Sequence, residues 1–149
     1  MDINELITSV QPGAELNISN TPFSYTGTSR ITLDSGDVLH WLYSGDERLL
    51  AIAPTDEELI IFTSIDEEME PDGTTVLYQG KEHEFSYEDT GVVTYVDGEL
   101  NAEEEDRVSF SDYESAEGGV VRLVTNENTG ESQAYVGTVI IEDEISLIE

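Results

Sequence analysis

Residues 83–97 read HEFSYEDTGVVTYVD, and their reading decides the fold. Apolar and polar residues alternate through HEFSYE (83–88) and again through GVVTYVD (91–97), the period-two signature of a half-buried strand. The intervening EDTG (88–91) carries the Asp and Gly that punctuate turns. The stretch therefore predicts two short strands joined by a tight turn. Residues 21–34, TPFSYTGTSRITLD, repeat its beginning.

With the two FSY triplets (23–25 and 85–87) in register, Ile31-Thr32-Leu33 falls on Val93-Thr94-Tyr95, and Gly36-Asp37 on Gly98-Glu99. The insertion NAEEED (101–106) lengthens the second copy. Beyond it, Val38 to Tyr43 can be laid on Val108 to Tyr113, Leu49-Leu50 near Val120-Val121, and Leu59 to Phe62 on the apolar run around Val139-Ile140-Ile141. This order of features is what a diverged duplication leaves behind. Two unrelated meanders of short strands also share such a rhythm.

The rest of the chain follows the same pattern. Further strands are expected at 14–19, 29–34, 37–44, 48–53, 58–63, 74–79, 106–113, 119–125, 132–137 and 138–143, separated by Gly- and Asp-rich turns. Many short, evenly spaced strands indicate an antiparallel sandwich or barrel. Ahead of them, Ile3, Leu6, Ile7 and Val10 are spaced as on a helix, with Asp2 as a cap and QPG (11–13) as a stop. The expected fold is mainly β: two related small antiparallel β-barrel or sandwich units packed together, after a short N-terminal helix. The boundaries are 1–13 for the helix or turn, 14–66 for the first unit, 67–73 for an acidic linker and 74–149 for the second unit. Units this short bury little surface alone, so they should pack and melt together.

Charge separates this chain from an ordinary β protein. It has 34 Asp and Glu against 5 Lys and Arg, a formal net charge of −29 over 149 residues. A hydrophobic content of 38% still supports a core. Such a surface repels nucleic acid and anionic lipid, and attracts basic proteins, polyamines and divalent cations. There is no cysteine, which excludes disulfides and thiol chemistry. The start MDINELITSV lacks the features of a secretion signal, and no apolar run approaches the length of a membrane span. A soluble, cytoplasmic protein without membrane insertion is the expectation.

No motif names a reaction. The two histidines, His40 and His83, have no partner constellation in sequence, and alternation places His40 on the face opposite Trp41. Nucleophile-elbow and phosphate-loop patterns are absent, and Lys81 is the single lysine. No catalytic residue, cofactor or metal site is assigned. The acidic clusters are Asp66, Glu67, Glu68, Glu70 and Asp72, then Glu103, Glu104, Glu105 and Asp106. They lack the spacing of a calcium loop and read as solvated charge or as weak cation and polyamine attraction. The aromatic residues Tyr25, Trp41, Tyr43, Tyr87 and Tyr113 hold related places in the two copies. They either line a groove between the units or fill the cores.

Tyr78 and Gly80, Val96 to Glu99, Asp112 and Tyr113, and Gly137, with Trp41 in the first half, make this chain resemble an uncharacterised bacterial domain-of-unknown-function family. The resemblance covers most of the chain after residue 14. It implies an accessory, non-enzymatic role beside phage-shock-protein-A-like proteins, small membrane proteins and polyamine synthesis. The function expected is an acidic binding or adaptor protein for a basic protein partner, without direct nucleic-acid binding. The alternative is a DNA-mimic inhibitor of a nucleic-acid-binding protein.

Overall fold

The computed structural model describes residues 1–100 and 102–148. A short helix, α1 (Ile3–Thr8), precedes β1 (Glu15–Ile18), β2 (Thr21–Leu33), β3 (Val38–Ser44), β4 (Arg48–Ala53) and β5 (Glu58–Ile65). The second half contains β6 (Thr75–Tyr78), β7 (Lys81–Gly98), β8 (Arg107–Glu114), β9 (Gly119–Asn126), β10 (Ser132–Ile140) and β11 (Ile145–Leu147). Asp2 caps α1 by accepting the Glu5 amide at 2.8 Å. The mainly β, antiparallel character and the N-terminal helix are as expected.

The halves do not close separately. The order β2-β3-β4-β5-β10-β9-β8-β7 returns to β2 through the β2–β7 pairing, giving one closed eight-stranded barrel. Each half supplies a four-stranded meander, and the meanders meet at two antiparallel seams, β2–β7 and β5–β10. Closure leaves the barrel itself no free edge. β1 and β11 extend the sheet beyond β2, and β6 extends it beyond β7.

The FSY triplets lie at equivalent places. Each sits on a long strand where it leaves an outer hairpin and enters the barrel. The hairpins β1–β2 and β6–β7 both turn through two residues with positive φ, Ser19-Asn20 and Gln79-Gly80, the tight turn that matches strand twist. A register shift follows in each: between Tyr25 and Gly27 in the β2–β3 ladder, and between Phe85 and Tyr87 in the β7–β8 ladder. Such bulges bend a strand and sharpen its twist. At the β2–β7 seam Ile31 pairs with Val93, and the hydroxyls of Thr32 and Thr94 lie 3.0 Å apart. Positions that the FSY register equates thus meet their own counterparts.

Three expectations are corrected. EDTG is no turn: β7 runs unbroken from Lys81 to Gly98. Residues 132–137 and 138–143 are not two strands either, since β10 (Ser132–Ile140) spans all of the first and half of the second. In both cases the glycine serves close packing at a seam. A Cβ on Gly91 would lie 2.6 Å from the Thr32 carbonyl oxygen, and one on Gly137 would collide with that of Ile61. Finally, laying Val38 to Tyr43 on Val108 to Tyr113 sets inward Leu39 and Trp41 on Ser109 and Ser111. The inward residues of β8 are Val108 and Phe110. A slip of one residue exchanges the faces of a strand.

Ile31, Trp41, Leu49, Phe62, Val93 and Phe110 are among the side chains filling the barrel. Outside the first meander a second cluster packs α1, β1 and β11 against β2 to β5, through Leu6, Leu16, Phe23 and Leu50. Outside the second meander the buried cluster is only Val76, Tyr113 and Val121.

Candidate functional site

Alternation along β9 points Val120 and Arg122 into the barrel and Val121 outward. Arg122 is directly opposite Asp112 of β8. Its Nε donates to Asp112 Oδ1 at 2.7 Å and its Nη2 to Oδ2 at 2.8 Å, with both side chains at least nine-tenths buried. The guanidinium carbon lies 4.6 Å from the Phe110 ring centre, 4.9 Å from Phe62 and 5.6 Å from Trp41. Trp41 meets Phe110 edge to face at 5.6 Å. An ion pair taken out of water costs several kcal/mol per ion, and bidentate geometry and aromatic faces recover only part of that. A charged pair in a core that small apolar residues could fill marks the region as a candidate site.

A cleft of about 40 Å³ opens above the pair at one mouth of the barrel. Arg122, Trp41 and Phe110 line it from within, and Tyr87, Asp56 and Glu58 at its edge. The turn between β4 and β5 brings Asp56 and Glu58 there, and Pro54–Asp56 form a single 3₁₀ turn with Pro54 at its start. Glu58 is half-buried. Burial pushes its carboxyl above the usual range, against the pull of Arg122 and with help from Asp112 and Asp56. The Tyr87 phenol is pushed up by burial and by the Asp89 carboxylate that accepts its hydrogen bond. Trp41 Nε1–H is buried and has no hydrogen-bond partner among the described residues.

The five aromatic residues singled out in the sequence go to different places. Trp41 and Tyr87 share this cleft. Trp41 also reaches the opposite mouth, where it joins the half-buried Tyr43, whose hydroxyl lies 3.4 Å from that of Ser29 and is pushed up by burial. Tyr25 packs outside the first meander, and Tyr113 outside the second with Phe85 edge-on at 5.8 Å. One groove joining all five does not form, because alternation and the two bulges send them to opposite faces. His40 does lie on the face opposite Trp41, in an outer cleft with Arg30, Tyr95 and Asp97, and burial and Arg30 hold its pKa down. His83 is buried with Nδ1 3.1 Å from the Lys81 carbonyl.

The acidic clusters also divide. Asp66, Glu67, Glu68 and Glu70 follow β5 without regular secondary structure, lining a cleft with Leu123 and Ala134, and Asp72 pairs with Thr75 as β6 begins. Glu103, Glu104 and Glu105 are exposed. Asp106 is buried and structural: it accepts from the Glu103 amide at 3.1 Å, Asn126 Nδ2 at 2.9 Å and Asn128 Nδ2 at 3.3 Å. Among the described residues no group of three or more His, Asp or Glu is placed to hold a metal ion. No helix among them is long and apolar enough to cross a membrane.

The sequence reading missed Arg122, Asp112 and Glu58. One signal was present: in GVVRLVT (119–125) an arginine holds the same parity as Val120 and Val124, which are core positions. An isolated charge at core parity is expensive and needs a partner.

The fold and its interior define a small closed β-barrel with an ionised aromatic core. The chain belongs to the family described as a domain of unknown function (DUF4178), whose model matches residues 11–142. No curated protein and no solved structure matches it.

Proposed function

We propose that the protein is a non-enzymatic binding module that engages a basic protein surface. The observation that carries this reading is the fate of the five cations. Arg48 pairs with Asp46, Lys81 with Glu117, Arg107 with Asp34 and Glu127, and Arg122 with Asp112, while Arg30 stacks on Tyr95 at 4.4 Å. Most of the remaining carboxylates are exposed and, among the described residues, have no cation of their own. Along β6 and β7, exposed Leu77, Phe85 and Tyr87 are interspersed with Glu82, Glu84 and Glu88, and Glu84 lies directly across from Glu114. Apolar anchors among like charges suit a basic, amphipathic partner, and complementarity of this kind speeds encounter. Spermidine or magnesium meets the same charge as a screened atmosphere. In the membrane- or envelope-stress setting that the family resemblance implies, the partner is a basic face of that assembly.

The test is fluorescence anisotropy of a labelled Lys/Leu amphipathic peptide at about 50 and 500 mM salt, where screening lengths differ several-fold. Binding that weakens at high salt and is reduced by a Leu77→Ala/Phe85→Ala variant is expected. Affinity indifferent to salt and to that variant overturns the reading. A pull-down whose captured protein is released by duplex DNA would favour the decoy alternative.

A further inference from the structure

The mouth cleft has a sense of direction. At its floor Arg122 spends Nε and Nη2 on Asp112, while Nη1 makes no hydrogen bond to a described residue. The indole of Trp41, 3% exposed, also lines the cleft, and its N–H has no acceptor among the described residues. A guanidinium with one nitrogen left without a protein acceptor, lining a cleft walled by aromatic rings, is suited to an acceptor oxygen. At the rim the sign reverses, with Asp37, Asp56 and Glu58 lining the opening. A bare anion would have to pass this rim and a strongly negative protein. A bare amine would satisfy the rim and leave the floor donors unpaired. Between them, Phe110 and Tyr87 give an apolar wall.

We propose that this cleft binds a small amino-carboxylate, with its carboxylate on the Arg122 guanidinium beside Trp41 and its ammonium between Asp56 and Glu58. The cleft's size restricts the ligand to a short spacer between its two charges. The site shares Tyr87 with the protein-binding face and is otherwise lined by different residues, and it makes the buried ion pair functional: Asp112 orients the guanidinium that receives the ligand.

Trp41 is the only tryptophan and lines both this cleft and the opposite mouth, so a fluorescence change belongs to this cleft when the rim variant alters it. The full chain is titrated with glycine, β-alanine and γ-aminobutyrate, and in parallel with propionate and propylamine. A saturable change is expected for at least one amino-carboxylate, with both single-charge probes about tenfold or more weaker. An Asp56→Asn/Glu58→Gln variant, which leaves the core pair intact, should weaken the amino-carboxylate about tenfold and leave propionate no weaker. Arg122→Lys keeps the charge but loses the fork, and should abolish the response. If it does not fold, the rim variant decides. No saturable change with any probe up to roughly 50 mM overturns the proposal. So does propionate binding as well as the amino-carboxylates, or a rim variant that binds them unchanged.

Discussion

The two meanders share a strand order, a hairpin turn and a bulge, yet they are finished differently. The first is sealed outside by α1, β1 and β11 over a large apolar cluster, and sends mainly apolar residues inward. The second has only β6 and the acidic segment 66–70 outside, and it contributes both members of the internal ion pair. One half acts as scaffold, and the other carries the charge and the exposed aromatic side chains. The difference teaches that symmetry of pairing need not bring symmetry of role.

The largest effect should come from splitting the ion pair of the second half. Arg122→Ala strands Asp112 in an apolar interior and should cost about 3–5 kcal/mol by denaturant unfolding. Arg122→Met/Asp112→Leu, which removes both charges, should recover most of that loss. A double variant as unstable as the single would mean that the pair holds the barrel together, and the contrast between scaffold and site would break.

Next comes the outer layer. Leu16→Ala, in the seal of the first meander, should cost about 2–5 kcal/mol. Leu77→Ala, on the edge strand of the second and 63% exposed, should stay within about 0.5 kcal/mol. Similar losses at both would show that the second half is sealed as tightly as the first. The seams come third. Gly91→Ala and Gly137→Ala each drive a methyl group into a facing carbonyl and should cost about 1–3 kcal/mol each. Because both seams lie in one cooperative barrel, each variant should lower a single melting transition. Two separated transitions would restore independent halves.

The seam glycines also show what the sequence could reveal. Strand identity, the helix with its Asp2 cap and the antiparallel class follow from local alternation and turn residues, and they were legible. Gly91 and Gly137 look like turn punctuation because a glycine in isolation reports only freedom from a side chain. Which neighbour needs that freedom, Thr32 or Ile61, is set by pairings across the whole chain. Closure into one barrel was hidden for the same reason. Of the site, Trp41 and Tyr87 were found, as aromatic residues in strands. Arg122 stood out only by parity, and Asp112 only as a residue of the family resemblance, not as a site residue in a chain so rich in carboxylates.

The smallest expected effect sharpens the comparison most, because it separates stability from binding at a single residue. Glu58 belongs to the first meander but borders the charged floor supplied by the second. Its carboxyl binds a proton more tightly in the folded protein than in the unfolded chain, chiefly because burial disfavours the charge. The ionised form therefore costs the folded state stability, and the cost grows as pH rises above the ordinary carboxylate pKa of about 4.3. Glu58→Gln removes it. The variant should melt slightly higher than the parent at pH 7, with the gap closing as pH falls below that value, while γ-aminobutyrate binding weakens. Stability gained at the expense of affinity is what a strained binding group produces. A variant that melts no higher at pH 7 and binds unchanged would place Glu58 in the scaffold with the rest of its meander.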